Sequence, residues 1–292
     1  GIVSIGLAYF ISRLISKPIE EIHDIIASIN EENIETKRLI VPKKFDEFAI
    51  VSQQFNELLD KISFYIAQQK HFVEDVSHEL RTPVAIVEGH LKLLNRWGKD
   101  DPEVLEESLT ASLAEIKRMK TLVQEMLDLS RAPQVREQYK DAKTEVVATL
   151  EQIVTNFKIL YPDFTFIADI DTKKEIISPI YRNHFEQVII ILLDNAVKYS
   201  TDRKEIIVSL SPTTEAVEIG IQDFGMGLSE EDKKKVFSRF YRVDKARSRE
   251  RGGNGLGLSI AKELIEGYNG KISLTSRLNH GSLFKVKLPI VK

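Results

Sequence analysis

Between Phe48 and Arg131 apolar residues recur every three or four positions, interrupted by one turn, and a pattern of that length is buried helix against helix. Phe48, Val51, Phe55, Leu58, Ile62 and Tyr65 begin it, and no breaker separates them from a long helix over residues 68–95. Trp97-Gly98-Lys99-Asp100-Asp101-Pro102 reads as a turn. Residues 103–131 are helical again through Leu105, Leu109, Leu113 or Ser112, Ile116, Met119, Val123 and Met126. This is an antiparallel helical hairpin whose apolar face is too wide for two helices. A four-helix bundle made by two copies of the chain is expected.

Upstream, Ile19, Ile22, Ile26 and Ile29 form a shorter seam of the coiled-coil kind, followed by a polar connector over residues 30–44 that contains Val41-Pro42. Two short amphipathic helices joined by an extended connector cannot each bury a seam alone, and a parallel four-helix dimer is the economical solution. The first fifteen residues, GIVSIGLAYFISRLI, are apolar up to Arg13 and contain no Lys, Asp or Glu. They are shorter than the roughly 20 residues that span a bilayer, and they have no basic leader or cleavage site. They read as the end of a transmembrane helix, with Arg13 and Lys17 on the cytoplasmic side. A buried helix of a soluble domain is the alternative.

Ala132-Pro133 marks a change of pattern. Helices are expected over 146–160, 184–199 and 256–268, and strands over 164–170, 205–210, 216–222, 271–276 and 283–288. Mixed strands and helices with few parallel crossovers suggest a two-layer α/β sandwich. At 292 residues the chain has room for two or three modules. Its net charge of −3 offers no basic field for nucleic acid. The absence of cysteine excludes disulfides and thiolate metal sites.

Chemistry concentrates in a few segments. Phe72-Val73-Glu74-Asp75-Val76-Ser77-His78-Glu79-Leu80-Arg81-Thr82-Pro83 lies on the long helix. A neutral imidazole is a good nucleophile near pH 7, and Glu79 can hold or accept the proton on its other nitrogen. Thr82, four residues on, shares a helical face with His78. Pro83 removes the backbone donor to residue 79 and should loosen the helix there. His23, His71, His90, His184 and His280 have no comparable neighbours and no metal-site spacing.

Asn195 stands in Leu192-Leu193-Asp194-Asn195-Ala196-Val197-Lys198-Tyr199-Ser200, on a helix whose other face is Val188, Ile189 and Leu192. Its amide oxygen suits a Mg²⁺ ion that already bridges phosphates. Lys198 can reach phosphate oxygens and Tyr199 can pack near a nucleotide. Asp223-Phe224-Gly225-Met226-Gly227-Leu228 follows a strand. A carboxylate there can accept from the exocyclic amine of adenine, while Gly225 and Gly227 permit positive φ and close approach of a ligand. Val236-Phe237-Ser238-Arg239-Phe240-Tyr241-Arg242 comes next, and Arg242 can steady a γ-phosphate. Residues 244–252 are polar and read as a mobile lid. Gly253-Asn254-Gly255-Leu256-Gly257-Leu258 opens a helix, where backbone N–H groups can face phosphates, and the spacing does not fit a Rossmann turn. His280-Gly281-Ser282-Leu283-Phe284 is a last glycine turn.

His78-Glu79-Leu80-Arg81-Thr82-Pro83 resembles the phosphoacceptor box of sensor histidine kinases. The segments around Asn195, Asp223, Phe240 and Gly255 resemble that family's asparagine, glycine and phenylalanine boxes, in the family's order. Pro18 after a membrane segment, with Asp46-Glu47 opening the next helix, resembles a HAMP linker, and Arg96-Trp97-Gly98-Lys99-Asp100 is similar to Gram-positive members. The resemblance covers almost the whole chain from Ser16.

The resemblance implies His78 as phosphoacceptor, Glu79 as its acid/base partner, and Thr82 as the residue that orients water in a phosphatase reaction. It implies ATP and Mg²⁺ as cofactors, a homodimer, and a response regulator receiver domain whose aspartate takes the phosphoryl group. The implied localisation is the cell membrane, with this region cytoplasmic. The expected organisation is a transmembrane end at 1–15, a HAMP coiled coil at 16–66, and a dimerisation and histidine phosphotransfer hairpin at 67–132. A catalytic ATP-binding sandwich of the gyrase/chaperone/histidine-kinase type follows at 133–292.

The sequence departs from the family pattern at Ile191, where many members carry a second Asn. Hydrolytic relatives of the same nucleotide-binding fold place a water-activating Glu there, and Ile191 cannot take a proton. A hydrolytic ATPase and a non-enzymatic nucleotide-binding dimer scaffold are the rival readings.

Overall fold

The computed structural model describes residues 19–20, 22–30, 33–41, 47–131, 135–170, 172, 174–243 and 253–291. The expected membrane segment 1–15, Ser16-Lys17-Pro18, Asp46, the Ala132-Pro133 boundary and the lid at 244–252 lie outside the described residues. The chain divides into two units, residues 1–78 and 79–292, with the boundary inside one long helix.

That helix, α1 (Glu47–Arg96), has 50 residues and continues through Pro83, so the expected seam and the phosphoacceptor segment lie on one helix. In the first unit, the connector lies along α1. Ile34 and Leu39 are buried. Asn56 donates to the Leu39 carbonyl at 2.9 Å and accepts from the Leu39 N–H at 2.8 Å, so one side chain satisfies both backbone groups of an extended residue. Ser63 donates to the Ile34 carbonyl at 3.0 Å, and Arg38 pairs with Asp60 at 2.6 Å. The expected seam residues Val51, Leu58, Ile62 and Tyr65 remain exposed in the single chain, as do Ile19 and Ile26.

In the second unit, α1 turns through a short 3-10 segment (Gly98–Asp100) into α2 (Pro102–Arg131). Proline fits the first helical position because its missing N–H would be unpaired there anyway. Asp101 caps the helix by accepting from the N–H groups of Glu103 and Val104 at 3.0 and 3.3 Å. His90 and Ser108 meet at 3.2 Å between the two helices. α2 buries Ser108, Ser112, Leu122 and Leu129. Leu109, Leu113, Ile116 and Val123, expected in the seam, are exposed. Ser112 rather than Leu113 therefore occupies the inward position.

Beyond a helical turn at Val135–Gln138, the chain builds a five-stranded sheet covered by three helices. These are α3 (Val146–Leu160), α4 (Arg182–Tyr199) and α6 (Gly257–Gly267). The sheet order is β2 (Thr165–Ile170), β4 (Glu205–Pro212), β5 (Ala216–Asp223), β7 (Ser282–Pro289), β6 (Lys271–Ser276). Only β2 and β4 are parallel; the other pairs are antiparallel. This is the expected two-layer α/β sandwich. Alternation puts Ile206, Val208 and Leu210 of β4, and Phe284, Val286 and Leu288 of β7, into the core.

Four described elements escaped the sequence pattern: the helical turn at Val135–Gln138 and three more. β1 (Thr144–Glu145) pairs with β3 (Ile177–Ser178), and both are too short to show a period. The third is α5 (Glu230–Lys235), whose residues are all charged. It is set instead by a capping box, in which Ser229 accepts from the Asp232 N–H at 3.1 Å and Asp232 accepts from the Ser229 N–H at 3.4 Å.

Phe185 is fully buried on α4. Phe185→Ala should cost about 3–5 kcal/mol through lost transfer energy and a residual cavity. Denaturant unfolding of residues 133–292 followed by circular dichroism checks this; a loss under about 1 kcal/mol would contradict the packing described.

Candidate functional site

α4 is the element that positions the site. Phe185, Val188, Ile189, Leu192, Leu193 and Ala196 are all buried, a stripe at helical spacing. With that stripe fixed, Asn195, Lys198 and Tyr199 emerge along one edge. They line a cavity of about 230 Å³ together with Asp223, Gly227, Arg242, Gly253, Gly255 and Gly257. The structure thus brings together nine of the residues singled out from the sequence.

Asp223 closes the end of β5 and is buried. Its Oδ1 accepts from the N–H of Gly225 at 2.9 Å and of Ser282 at 3.2 Å. Burial pushes its carboxyl above the ordinary range, and these backbone donors oppose the shift. Gly225 stands behind the cavity rather than in its wall. A Cβ there would lie 2.0 Å from the Tyr199 carbonyl, whereas Gly227 does adopt a positive φ of 63°. Of the two glycines expected to take positive φ, only Gly227 does; Gly225 is needed because the backbone of α4 passes against it.

On the opposite wall, Tyr241 donates to Asp232 at 2.6 Å, which ties the loop carrying Arg242 to α5. The glycine segment before α6 completes the enclosure. A side chain at Gly253 would meet the Lys198 ammonium at 2.3 Å, and one at Gly257 would approach Ile191 at 3.2 Å. Ile191, the departure from the family pattern, therefore packs at the start of α6.

His78, Glu79, Thr82 and Pro83 are carried on α1. His78 and Thr82 are exposed, Glu79 is half-buried and Pro83 is buried. Of the remaining histidines, His184 accepts from or donates to the Tyr268 hydroxyl at 2.8 Å within a ring cluster that includes Tyr139 and Tyr181, a packing role.

Sequence reasoning missed several cavity residues. Ser282 contributes through its backbone, which no side-chain motif reveals. Asn254, hidden among the glycines, donates to Glu125 of α2 at 3.2 Å. Glu125 itself lines the cavity, and burial raises its carboxyl above the usual range. Nothing in its helical periodicity distinguishes it from any surface glutamate.

A buried carboxylate, a lysine, an asparagine and a glycine-rich helix start thus share one cavity of a sandwich that follows a helical hairpin. Residues 181–292 match the histidine kinase-, DNA gyrase B- and HSP90-like ATPase family, and residues 68–134 match the His Kinase A (phospho-acceptor) domain. The chain carries the phospho-acceptor and ATPase domains of a histidine kinase.

It is 38% identical over 290 residues to the signal transduction histidine-protein kinase ArlS of Staphylococcus epidermidis, covering 99% of this chain and 63% of that protein. It is 39% identical over 286 residues to ArlS of Staphylococcus aureus, covering 98% and 63%. The chain thus spans less than two thirds of the length of these curated relatives. In fold it is similar to the histidine kinase ThkA, solved in complex with the response regulator protein TrrA, at a TM-score of 0.59 and 23% identity over 76% of this chain and 61% of that one.

The sequence leads us to expect Asp223 to accept from the exocyclic amine of adenine, best in its ionised form. Because burial raises its pKa, adenosine affinity should fall on acidification at a pH above the ordinary aspartate range. Asp223→Asn should weaken adenosine binding at pH 7.5 by about tenfold and abolish this pH step. Calorimetric titration with adenosine, which has no phosphate to titrate, checks both.

Proposed function

We propose that this chain is the signalling part of a sensor histidine kinase that phosphorylates its own His78 from Mg-ATP and passes the phosphoryl group to an aspartate of a response regulator. The observation that carries this reading is one cavity lined by Asp223, Asn195, Lys198 and four glycines, in a chain whose long helix exposes His78.

Asp223 accepts from the adenine amine at the floor of the cavity. Lys198 and the N–H groups opening α6 face the phosphates, and Gly253 suits this because a Cβ there would press on the Lys198 ammonium. Asn195 offers one neutral oxygen, which fits a Mg²⁺ ion whose other ligands are phosphates and water. Bound there, the ion neutralises charge on the phosphates. One ring nitrogen of His78 attacks the γ-phosphorus. The phosphorus–nitrogen bond forms as the bond to the β-phosphate oxygen breaks, and ADP leaves. Glu79 holds or accepts the proton of the other ring nitrogen. Arg242, in the cavity wall, stabilises the γ-phosphoryl oxygens as charge shifts.

Transfer to a receiver aspartate follows from the high energy of the phosphorus–nitrogen bond, and the complex of ThkA with TrrA supports a partner of that class. Thr82 holds the attacking water in the reverse, phosphatase reaction. The chain acts as a homodimer: exposed Leu109, Leu113, Ile116 and Val123 on the hairpin, and Val51, Leu58 and Ile62 upstream, need covering. Residues 16–66 serve as a HAMP linker, and residues 1–15 end a membrane anchor. Among the described residues no helix is long and apolar enough to cross a membrane. A hydrolytic route has less support, since Ile191 cannot act as a base.

His78→Gln should abolish labelling from γ-labelled ATP while leaving ATP affinity within about threefold, because the nucleophile takes no part in holding the nucleotide. Normal labelling of that variant would remove His78 as phosphoacceptor. Thr82→Ala should lose most phosphatase activity toward a phosphorylated receiver domain yet keep substantial autophosphorylation, since only the former needs an aligned water. A parallel loss of both activities would show that Thr82 serves the helix around Pro83 instead.

A further inference from the structure

The second helix of the hairpin reaches into the nucleotide cavity. Glu125 of α2 lines the same wall as Asn195, Lys198, Gly253 and Gly255, the end of the cavity that the proposed function assigns to phosphate. Its Oε2 accepts from the side chain of Asn254, which is itself buried between those glycines. One turn on, Asp128 accepts from Gln187 of α4 at 2.7 Å. Asp128 and Gln187 lie outside the cavity lining, so this second bond holds α2 to the sandwich without entering the site. Lys198 feels the carboxylates of both Glu125 and Asp194, so its charge is already shared by two protein anions.

We propose that Glu125 is an anionic latch: its carboxylate stands where the phosphate chain of the nucleotide must lie, so docking of α2 on the sandwich and filling of the phosphate end oppose each other. This inference rests on the reading of the cavity as an ATP site.

The physical reason is charge. A half-buried carboxylate that already shares the field of Lys198 repels an incoming triphosphate more than a fully exposed one would. Adenosine, which lacks phosphates, does not meet this repulsion. By reciprocity, whatever factor Glu125 takes from phosphate binding, phosphate binding takes from the docked hairpin. Occupancy of the cavity therefore loosens α2 from the segment that precedes α6. The nucleotide-poor chain is held in one arrangement, and the Mg-ATP complex releases it.

The test is calorimetric titration of the whole chain and of Glu125→Gln with Mg-ATP and, separately, with adenosine. The amide of glutamine still offers Asn254 an acceptor, and Asp128–Gln187 is untouched, so the fold and docking bond are kept. Glu125→Gln should bind Mg-ATP about fivefold or more tightly than the parent, with adenosine affinity changed by less than about twofold. Unchanged Mg-ATP affinity overturns the latch while leaving the ATP site standing. An equal gain for Mg-ATP and adenosine also overturns it, because the residue would then act on the shape of the cavity and not on charge. If the parent chain binds neither ligand, the reading of the cavity as an ATP site fails and the latch falls with it.

Discussion

The burial of one face of α4 against the sheet is the contact on which the rest of the site depends. Phe185, Val188, Ile189, Leu192, Leu193 and Ala196 admit only one rotation of the helix about its axis. That rotation leaves Asn195, Lys198 and Tyr199 on the cavity edge and brings the Tyr199 carbonyl against Gly225. A buried stripe of six apolar side chains is worth many times the energy of any polar contact it positions. The site is thus pre-organised by the core, and its polar residues can be chosen for chemistry.

The polar side of the site shows the corresponding cost. Asp223 and Glu125 are both held above the usual carboxylate range by burial. Asp223 is stabilised by two backbone donors, one two residues on, Gly225, and one at the start of β7, Ser282. Glu125 receives one side-chain donor, Asn254. Lys198 supplies one fixed positive charge to this balance. Under the proposed function a polyanion would come with a divalent ion, to which the amide oxygen of Asn195 is suited.

The helical half follows a different logic. α1 and α2 meet along a narrow line through His90 and Ser108, with Ser112 and Leu122 inward, and much of their apolar surface stays outside. Upstream, the connector covers Leu59 and Ser52 but leaves Val51 and Leu58 exposed. Both regions present an unfilled apolar face in the single chain.

Period and punctuation in the sequence were enough for most elements. The 3.6-residue stripes defined α1, α2, α3, α4 and α6 to within two residues, and alternation defined the five main strands. In the sandwich each element buries that face, whereas much of the stripe of α1 and α2 is exposed in the single chain. The boxes around His78, Asn195, Asp223 and Gly255 were legible because each packs its chemistry into a few consecutive residues. Tertiary structure alone decided what joins distant segments. It showed that Ser282 supplies a backbone donor to Asp223, that Gly225 answers to a carbonyl rather than to a positive φ, and that Ser112 rather than Leu113 faces inward. It also brought Glu125, a residue without any local signature, into the lining of the cavity. A side chain's periodicity records whether it is buried, but not which distant group it meets, and those meetings set the charge of the site.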